Sequence, residues 1–259
     1  MPDLLVRTGP DSVAVVTLNR PARRNAVSLA MWRELQHIFR ALCDAGDVRL
    51  VILTGAGGHF CAGADISEFA ALRGDAAAGR AYEEAVDGCY EALSGLGKPT
   101  VAAISGACVG GGCALAMACD FRIADGTARF GIPAARLGVV YSVRECRMLL
   151  SLVGLAGAKR ILFGGALVGV EEASRLGLVD GMAQGDVVRA AVDFAGPMRE
   201  NAPLSIAGAK LILNALARDD VEGKTAAIEA LIDRALESED AKEGARAFME
   251  KRGPAFTGR

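Results

Sequence analysis

Two short glycine-containing stretches, HFCAGADI at 59–66 and GACVGGGC at 106–113, carry the clearest means for chemistry in this 259-residue chain. Each follows a strand-like run and precedes a helix-like one. Each would therefore deliver main-chain N–H groups to the carboxyl edge of a sheet, where open α/β sheets bind their ligands. Small residues let a ligand approach the backbone, and the first turn of a helix leaves donors without intrahelical partners. Two such donors aimed at one point would form an oxyanion hole, which needs no side chain. Taken singly, either turn reads equally well as loop punctuation.

Side chains with chemical capacity are few. Tyr141 and Glu145 stand four apart and would share a helix face if the helix includes both, aiming a phenol and a carboxylate into one cavity. Against this, Ser142 and Glu145 have the S-x-x-E spacing of a capping box, which would occupy both side chains at a helix start. His59 adjoins the first glycine stretch and reads as a cap or a solvent-facing residue, and His37 as structural. Cys113 opens a helix, where a thiol pKa can be depressed, yet a small buried apolar role fits it better. Asp65 would stabilise the following helix N-terminus, and Glu68, a turn later, would face either the site or solvent.

The elements that must position these groups are legible from periodicity. Residues 12–18 and 48–54 are β-branched runs, and Ser28 precedes a helical pattern between them, which together predict a parallel strand–helix–strand crossover. A helix near 79–95, a strand at 100–105, a glycine turn into a helix at 111–118, and strands near 121–124 and 128–130 follow. From Ser142 only helical patterns remain, at 142–153, 155–162, 171–176, 186–200, 203–216, 221–236 and 239–250. The expected organisation is an α/β core over 1–195 and a helical C-terminal region over 196–259. The alanine-rich patch at 69–85 reads as a loop lying over a site.

Composition narrows the function. Hydrophobic residues make up 52% and charged residues 23%, so the chain is globular, and 29 basic against 31 acidic residues, with no basic block, disfavour nucleic acid as a partner. Seven scattered cysteines without CxxC spacing argue against a disulfide framework or a zinc site and fit a reducing cytoplasm. No secretory signal is visible at the N-terminus. Thr100–Cys119 is an uncharged run of membrane-spanning length, but glycines at its centre fit a buried strand, loop and helix instead, so no membrane is expected.

The chain resembles the crotonase, or enoyl-CoA hydratase/isomerase, superfamily in seven ordered segments: LNRPARRNAVS (18–28), FCAGADI (60–66), KPTVAAISGACVGGGCALAMACD (98–120), ARFGIPAARLGV (128–139), EEASRLGLVD (171–180), NAPLSIAGAK (201–210) and SEDAKEGARAFMEKRGPAFTGR (238–259). The resemblance implies an α/β, crotonase-like fold of repeated ββα units with a helical C-terminal region at the interface of a homotrimer or homohexamer. It implies an acyl-CoA substrate, with coenzyme A present only as part of the thioester and no separate cofactor or metal. It assigns the backbone N–H groups of Ala62 and Gly111 to the thioester oxygen; Tyr141 and Glu145 remain the further catalytic candidates that the residues themselves offer. Arg24, Ala26, Ala62, Gly63, Ala64, Asp65 and Ile66 would form the coenzyme wall, with Lys251 reaching its phosphates, from a neighbouring subunit if need be.

One departure bears on the reaction. Hydratases of that superfamily carry a glutamate directly after GGGC and another after FGxP; here those positions are Ala114 and Ala134. Neither can act as an acid or base. Tyr141 also resembles the LGVPY turn of methylmalonyl-CoA decarboxylases, although that branch's histidine after SAG is here Ala64. By family weight the reaction is hydration or isomerisation, while by residue content decarboxylation or a Glu145-based isomerisation fits better; acyl-CoA binding without turnover is the further open reading. A dinucleotide site is disfavoured, because the glycines lack G-x-G-x-x-G spacing.

Overall fold

A computed structural model describes residues 1–68 and 76–259. Strands β1 (Leu4–Thr8) and β2 (Val13–Leu18) form an antiparallel hairpin. Helix α1 (Leu29–Asp44), capped by the Ser28 hydroxyl accepting the Met31 N–H, then crosses over to β3 (Leu50–Gly55), which runs parallel to β2 as the crossover pattern predicts. Helix α2 (Ala76–Ser94) leads to β4 (Thr100–Ile104). Short β5 (Ala107–Val109) then runs into helix α3 (Gly111–Ala118). β6 (Phe121–Ala124), β7 (Arg129–Gly131) and α4 (Ala134–Leu137) complete the central region.

The later chain comprises α5 (Val143–Gly164), β8 (Val168–Gly169), α6 (Val170–Arg175), β9 (Gly181–Met182), α7 (Val187–Glu200), α8 (Pro203–Arg218), α9 (Val221–Glu237) and α10 (Glu239–Glu250). The main sheet has the order β1-β2-β3-β4-β6-β9, and β5-β7-β8 form a second, small one. Besides β1 and the short α4, which the periodicity does not mark, two features differ from it. Strands continue past Ser142, because β8 and β9 are two-residue pairings defined by their partners, Phe130 and Ile123 among them, and too short to show alternation. Residues 76–85 belong to α2 rather than to a loop, while 69–75 of that patch lie outside the described residues.

Alternation along the strands sorts the core into two faces. Val51, Leu53, Ala102 and Ile104 pack towards α1 and α2, whereas Leu50, Ile52, Val101 and Ala103 pack towards Val187, Ala191 and Ala195 of α7. α7 thus runs unbroken through residue 195 as a layer on the sheet. α8 docks at the amino edge of the sheet, where Lys210 reaches Asp120 at 2.7 Å and the Lys98 carbonyl at 3.0 Å. The C-terminal segment ends at the same edge, its Phe256 carbonyl accepting from Arg49 at 3.1 Å. The carboxyl edge is left to the two glycine stretches. No helix among the described residues is long and apolar enough to cross a membrane.

Close packing explains the middle of GGG. A Cβ on Gly112 would press against the Cys61 carbonyl oxygen and lie 2.8 Å from the Cys61 Cβ, so only glycine lets the start of α3 rest on the 60–61 strand end. Gly112→Ala is expected to cost about 1–3 kcal/mol in chemical denaturation, as overpacking against backbone does. An unchanged midpoint would contradict the contact.

Candidate active site

The segment 20–27 and the loop 60–66 are zipped together. The Ala62 N–H donates to the Arg24 carbonyl at 2.9 Å, the Val27 N–H to Gly63 at 2.8 Å, and the Asp65 N–H to Val27 at 2.9 Å. Arg24 and Asn25 adopt left-handed φ of 47° and 58° to make the turn. Fully buried Asn25 holds it, donating to the carbonyls of Ala56 and His59 at 2.9 and 2.6 Å and accepting the Arg20 N–H at 2.9 Å. Asp65 clamps the same two segments with ion pairs of 3.0 Å to both Arg20 and Arg23. The Ser67 hydroxyl and amide, together with these arginines, hold its carboxyl below the usual aspartate range despite burial. Exposed Arg24 and Ile66 and half-buried Ala26 and Ala64 are thereby held on two paired segments with Gly63 buried between them, and the Arg24 guanidinium makes no hydrogen bond or ion pair among the described residues.

These bonds correct one donor. Ala62 spends its N–H on Arg24, so it cannot meet a ligand without breaking the zipper. Gly63 sits at φ +105°, which breaks the strand's alternation, and the pairing with Val27 then uses the Gly63 carbonyl and the Asp65 N–H. The Ala64 N–H between them has no acceptor among the described residues. Neither has that of Gly111, the first residue of α3, where helix geometry leaves donors unpaired. The two lie side by side: a Cβ on Gly111 would fall 3.5 Å from the Ala64 nitrogen, and one on Gly63 3.5 Å from the Gly111 nitrogen. The buried Trp32 ring flanks them, 3.4 Å from that Gly111 position, with its indole N–H donating to Tyr82 at 3.1 Å. The adjacent amides without an acceptor among the described residues are therefore those of Ala64 and Gly111, not Ala62 and Gly111. Trp32 escapes a reading of motifs, since its place on α1 is that of an ordinary core residue.

The ionisable candidates are committed elsewhere. α5 begins at Val143, so Tyr141 lies outside it and does not share a helix face with Glu145. The Tyr141 hydroxyl donates to the Gly110 carbonyl at 2.7 Å. Glu145 completes the capping box: its Oε2 accepts from the Ser142 amide and hydroxyl at 3.0 and 2.9 Å, and its Oε1 from the Tyr90 hydroxyl at 3.4 Å. Burial pushes its carboxyl above the usual range, opposed by these donors. The capping box expected of Ser142 and Glu145 is thus present. Glu145→Ala is expected to lower stability by about 0.5–2 kcal/mol, read as a reduced melting temperature; lost turnover at an unchanged melting temperature would restore an acid–base role.

Glu68 accepts the Leu29 N–H at 2.7 Å, closing the first turn of α1 rather than facing a ligand. The His59 Nδ1 accepts the Ala107 N–H at 3.1 Å and braces β5, and His37 is exposed on α1. The buried Cys113 thiol donates to the Cys108 carbonyl at 2.7 Å. Lys251 is the left-handed C-cap of α10, exposed, with no contact to Arg24 or Ala26 among the described residues. A cavity of about 970 Å³ between α2, α5 and α8 is lined by Tyr90, Met117, Arg144, Lys210 and Arg218 and includes neither donor. Among the described residues no cluster of three or more His, Cys, Asp or Glu could hold a metal.

Sheet order, donor loops and helical tail together define a crotonase-type α/β fold. The enoyl-CoA hydratase/isomerase family model matches residues 8–259, and the chain belongs to that family. It is 35% identical to a short-chain-enoyl-CoA hydratase of Clostridium acetobutylicum over 93% of this chain and 92% of that protein. It is 31% identical to the 2,3-dehydroadipyl-CoA hydratase of Escherichia coli over 98% and 99%. Among solved structures, an enoyl-CoA hydratase/isomerase family protein from Hyphomonas neptunium matches with a TM-score of 0.92 at 36% identity, covering 100% of this chain and 98% of that one. An enoyl-CoA hydratase from Bacillus anthracis matches at 0.90 and 31%, covering 100% of both.

Proposed function

We propose that the protein binds an acyl-CoA thioester and stabilises its enolate between the Ala64 and Gly111 N–H groups. The observation that carries this reading is the pair of adjacent backbone donors, unpartnered among the described residues, on a loop zipped to the segment that bears the Arg24 cation. As the carbon next to the carbonyl acquires an electron pair, charge moves onto the thioester oxygen, and donors already in place stabilise it without reorganising. Ala26 and Ile66 would face the adenine and the pantetheine arm, Arg24 a phosphate, and Lys251 would serve from a neighbouring copy.

What surrounds the pair supports a reading of the reaction. Ala114 and Ala134 are both buried, and the flanking carboxylates Asp65, Glu68 and Glu145 are each tied to other groups. Among the described residues the site holds no free carboxylate, which suits decarboxylation of a thioester bearing an α-carboxylate. There the bond to the carboxylate breaks, its electron pair becomes the enolate, carbon dioxide leaves, and a proton from solvent completes the acyl-CoA. The names of the relatives favour hydration as the second reading. Crotonyl-CoA and methylmalonyl-CoA presented side by side separate the two: carbon dioxide release far exceeding hydration is expected, and hydration at rates ordinary for hydratases would overturn the decarboxylation reading.

Assembly as a trimer or a pair of trimers belongs to the same proposal. α9 buries no residue within one chain, and Ile232, Leu236 and Phe248 stand exposed, which supports a covering subunit. Light scattering at the mass of one chain would contradict it.

A further inference from the structure

We infer that Tyr141 is a positioning residue that acts on the reacting carbonyl through a peptide bond rather than by touching substrate. This rests on the donor-pair reading above. Gly110 and Gly111 share one trans peptide, so the Gly110 carbonyl and the Gly111 N–H are opposite ends of a single planar dipole. The carbonyl end accepts two hydrogen bonds, from the Tyr141 hydroxyl at 2.7 Å and from the Ala114 N–H at 3.1 Å, while the N–H end is unpartnered and adjoins Ala64.

The phenol is not needed to satisfy that carbonyl. The intrahelical bond from Ala114 already does so, as at any helix start. A second donor polarises the peptide further, and in a dry environment hydrogen bonds in series strengthen one another, so the Gly111 N–H becomes a stronger donor to the oxygen it meets. The phenol also fixes orientation. Gly110 has φ +54° and ψ −119°, a conformation open to glycine, and a bond from a different loop pins this freely turning residue. Packing of Tyr141 against the core holds the ring in place. Burial, with the Glu145 charge nearby, pushes the phenol above its ordinary range, so it stays protonated and donating at neutral pH.

The test uses the full-length protein and butyryl-CoA labelled with ¹³C at the thioester carbonyl, followed by isotope-edited infrared spectroscopy. Binding should lower the carbonyl stretch, and Tyr141→Phe should lose about 10–30% of that downshift, the size of a cooperative increment. For the reacting substrate, kcat should fall about two- to tenfold with KM within about twofold, since the effect grows as charge develops. Ser142→Ala, which weakens the neighbouring cap without touching the phenol, should lower the melting temperature and leave the downshift intact. Should Tyr141→Phe fold poorly, Tyr141→3-fluorotyrosine keeps the shape with a more acidic hydroxyl and should deepen the downshift. A normal downshift and kcat in Tyr141→Phe would overturn the inference while leaving the donor pair standing; no downshift in the unaltered protein would overturn the donor pair and this inference with it.

Discussion

Gly111→Pro should reduce turnover of the acyl-CoA substrate by about 10²–10³-fold, the usual consequence of removing one oxyanion donor. Gly111 is the first residue of α3, where proline is well tolerated because its missing N–H belongs to the set without helical partners. Gly110 before it is free to adopt the conformations that a following proline allows. The substitution thus removes the proposed donor at a position where the helix itself loses no bond. Gly111→Ala is the matched control: it keeps the N–H and adds a methyl 3.4 Å from Trp32 and 3.5 Å from the Ala64 nitrogen, so it should lose much less. Equal losses in both variants would mean that bulk at this point, not the N–H, matters.

The second large effect concerns the scaffold. Arg122 in β6 is 2% exposed, and its guanidinium pairs with Asp180, which also accepts the Arg122 N–H at 2.8 Å. The same guanidinium donates to the Cys119 carbonyl at 3.1 Å, tying β6, the end of α3 and the residue before β9 together. Asp180→Ala leaves a buried cation without its counter-charge, which costs about 3–5 kcal/mol. At about 2–4 °C per kcal/mol for a chain of this size, the melting temperature should fall by about 6–20 °C. Removing the cation as well, in Arg122→Met with Asp180→Leu, should recover part of the loss, because a well-packed apolar pair needs no counter-charge. A cost under about 1 kcal/mol for Asp180→Ala would show that water solvates Arg122 in spite of its burial.

Local rules made much of this molecule legible. Ser28 and Ser142 cap helices where their spacing says, the crossover from β2 to β3 is parallel, and the break between 153 and 155 is real, with Gly154 at φ +66° inside α5. Pairings that only the assembled sheet defines were not legible. β1 gains its identity from β2, and β8 and β9 are too short for any pattern to mark them. Which of the two amides is left unpartnered was not legible for a related reason. In a regular strand the N–H groups of residues 62 and 64 point the same way, and motif position cannot separate them. A single left-handed glycine at 63 shifts that phase, so one amide turns to Arg24 while the other has no acceptor among the described residues. Tyr141 posed a similar difficulty: its partner lies 31 residues away, across a contact that helical spacing cannot reveal.

The most direct measurement is a crystal structure with a non-reacting acyl-CoA analogue bound. The thioester oxygen should lie about 2.7–3.1 Å from both the Ala64 and the Gly111 nitrogens, as donors to an oxyanion require. An oxygen bonded instead to the Ala62 N–H, with its link to Arg24 broken, or one more than about 3.5 Å from both nitrogens, would contradict the account.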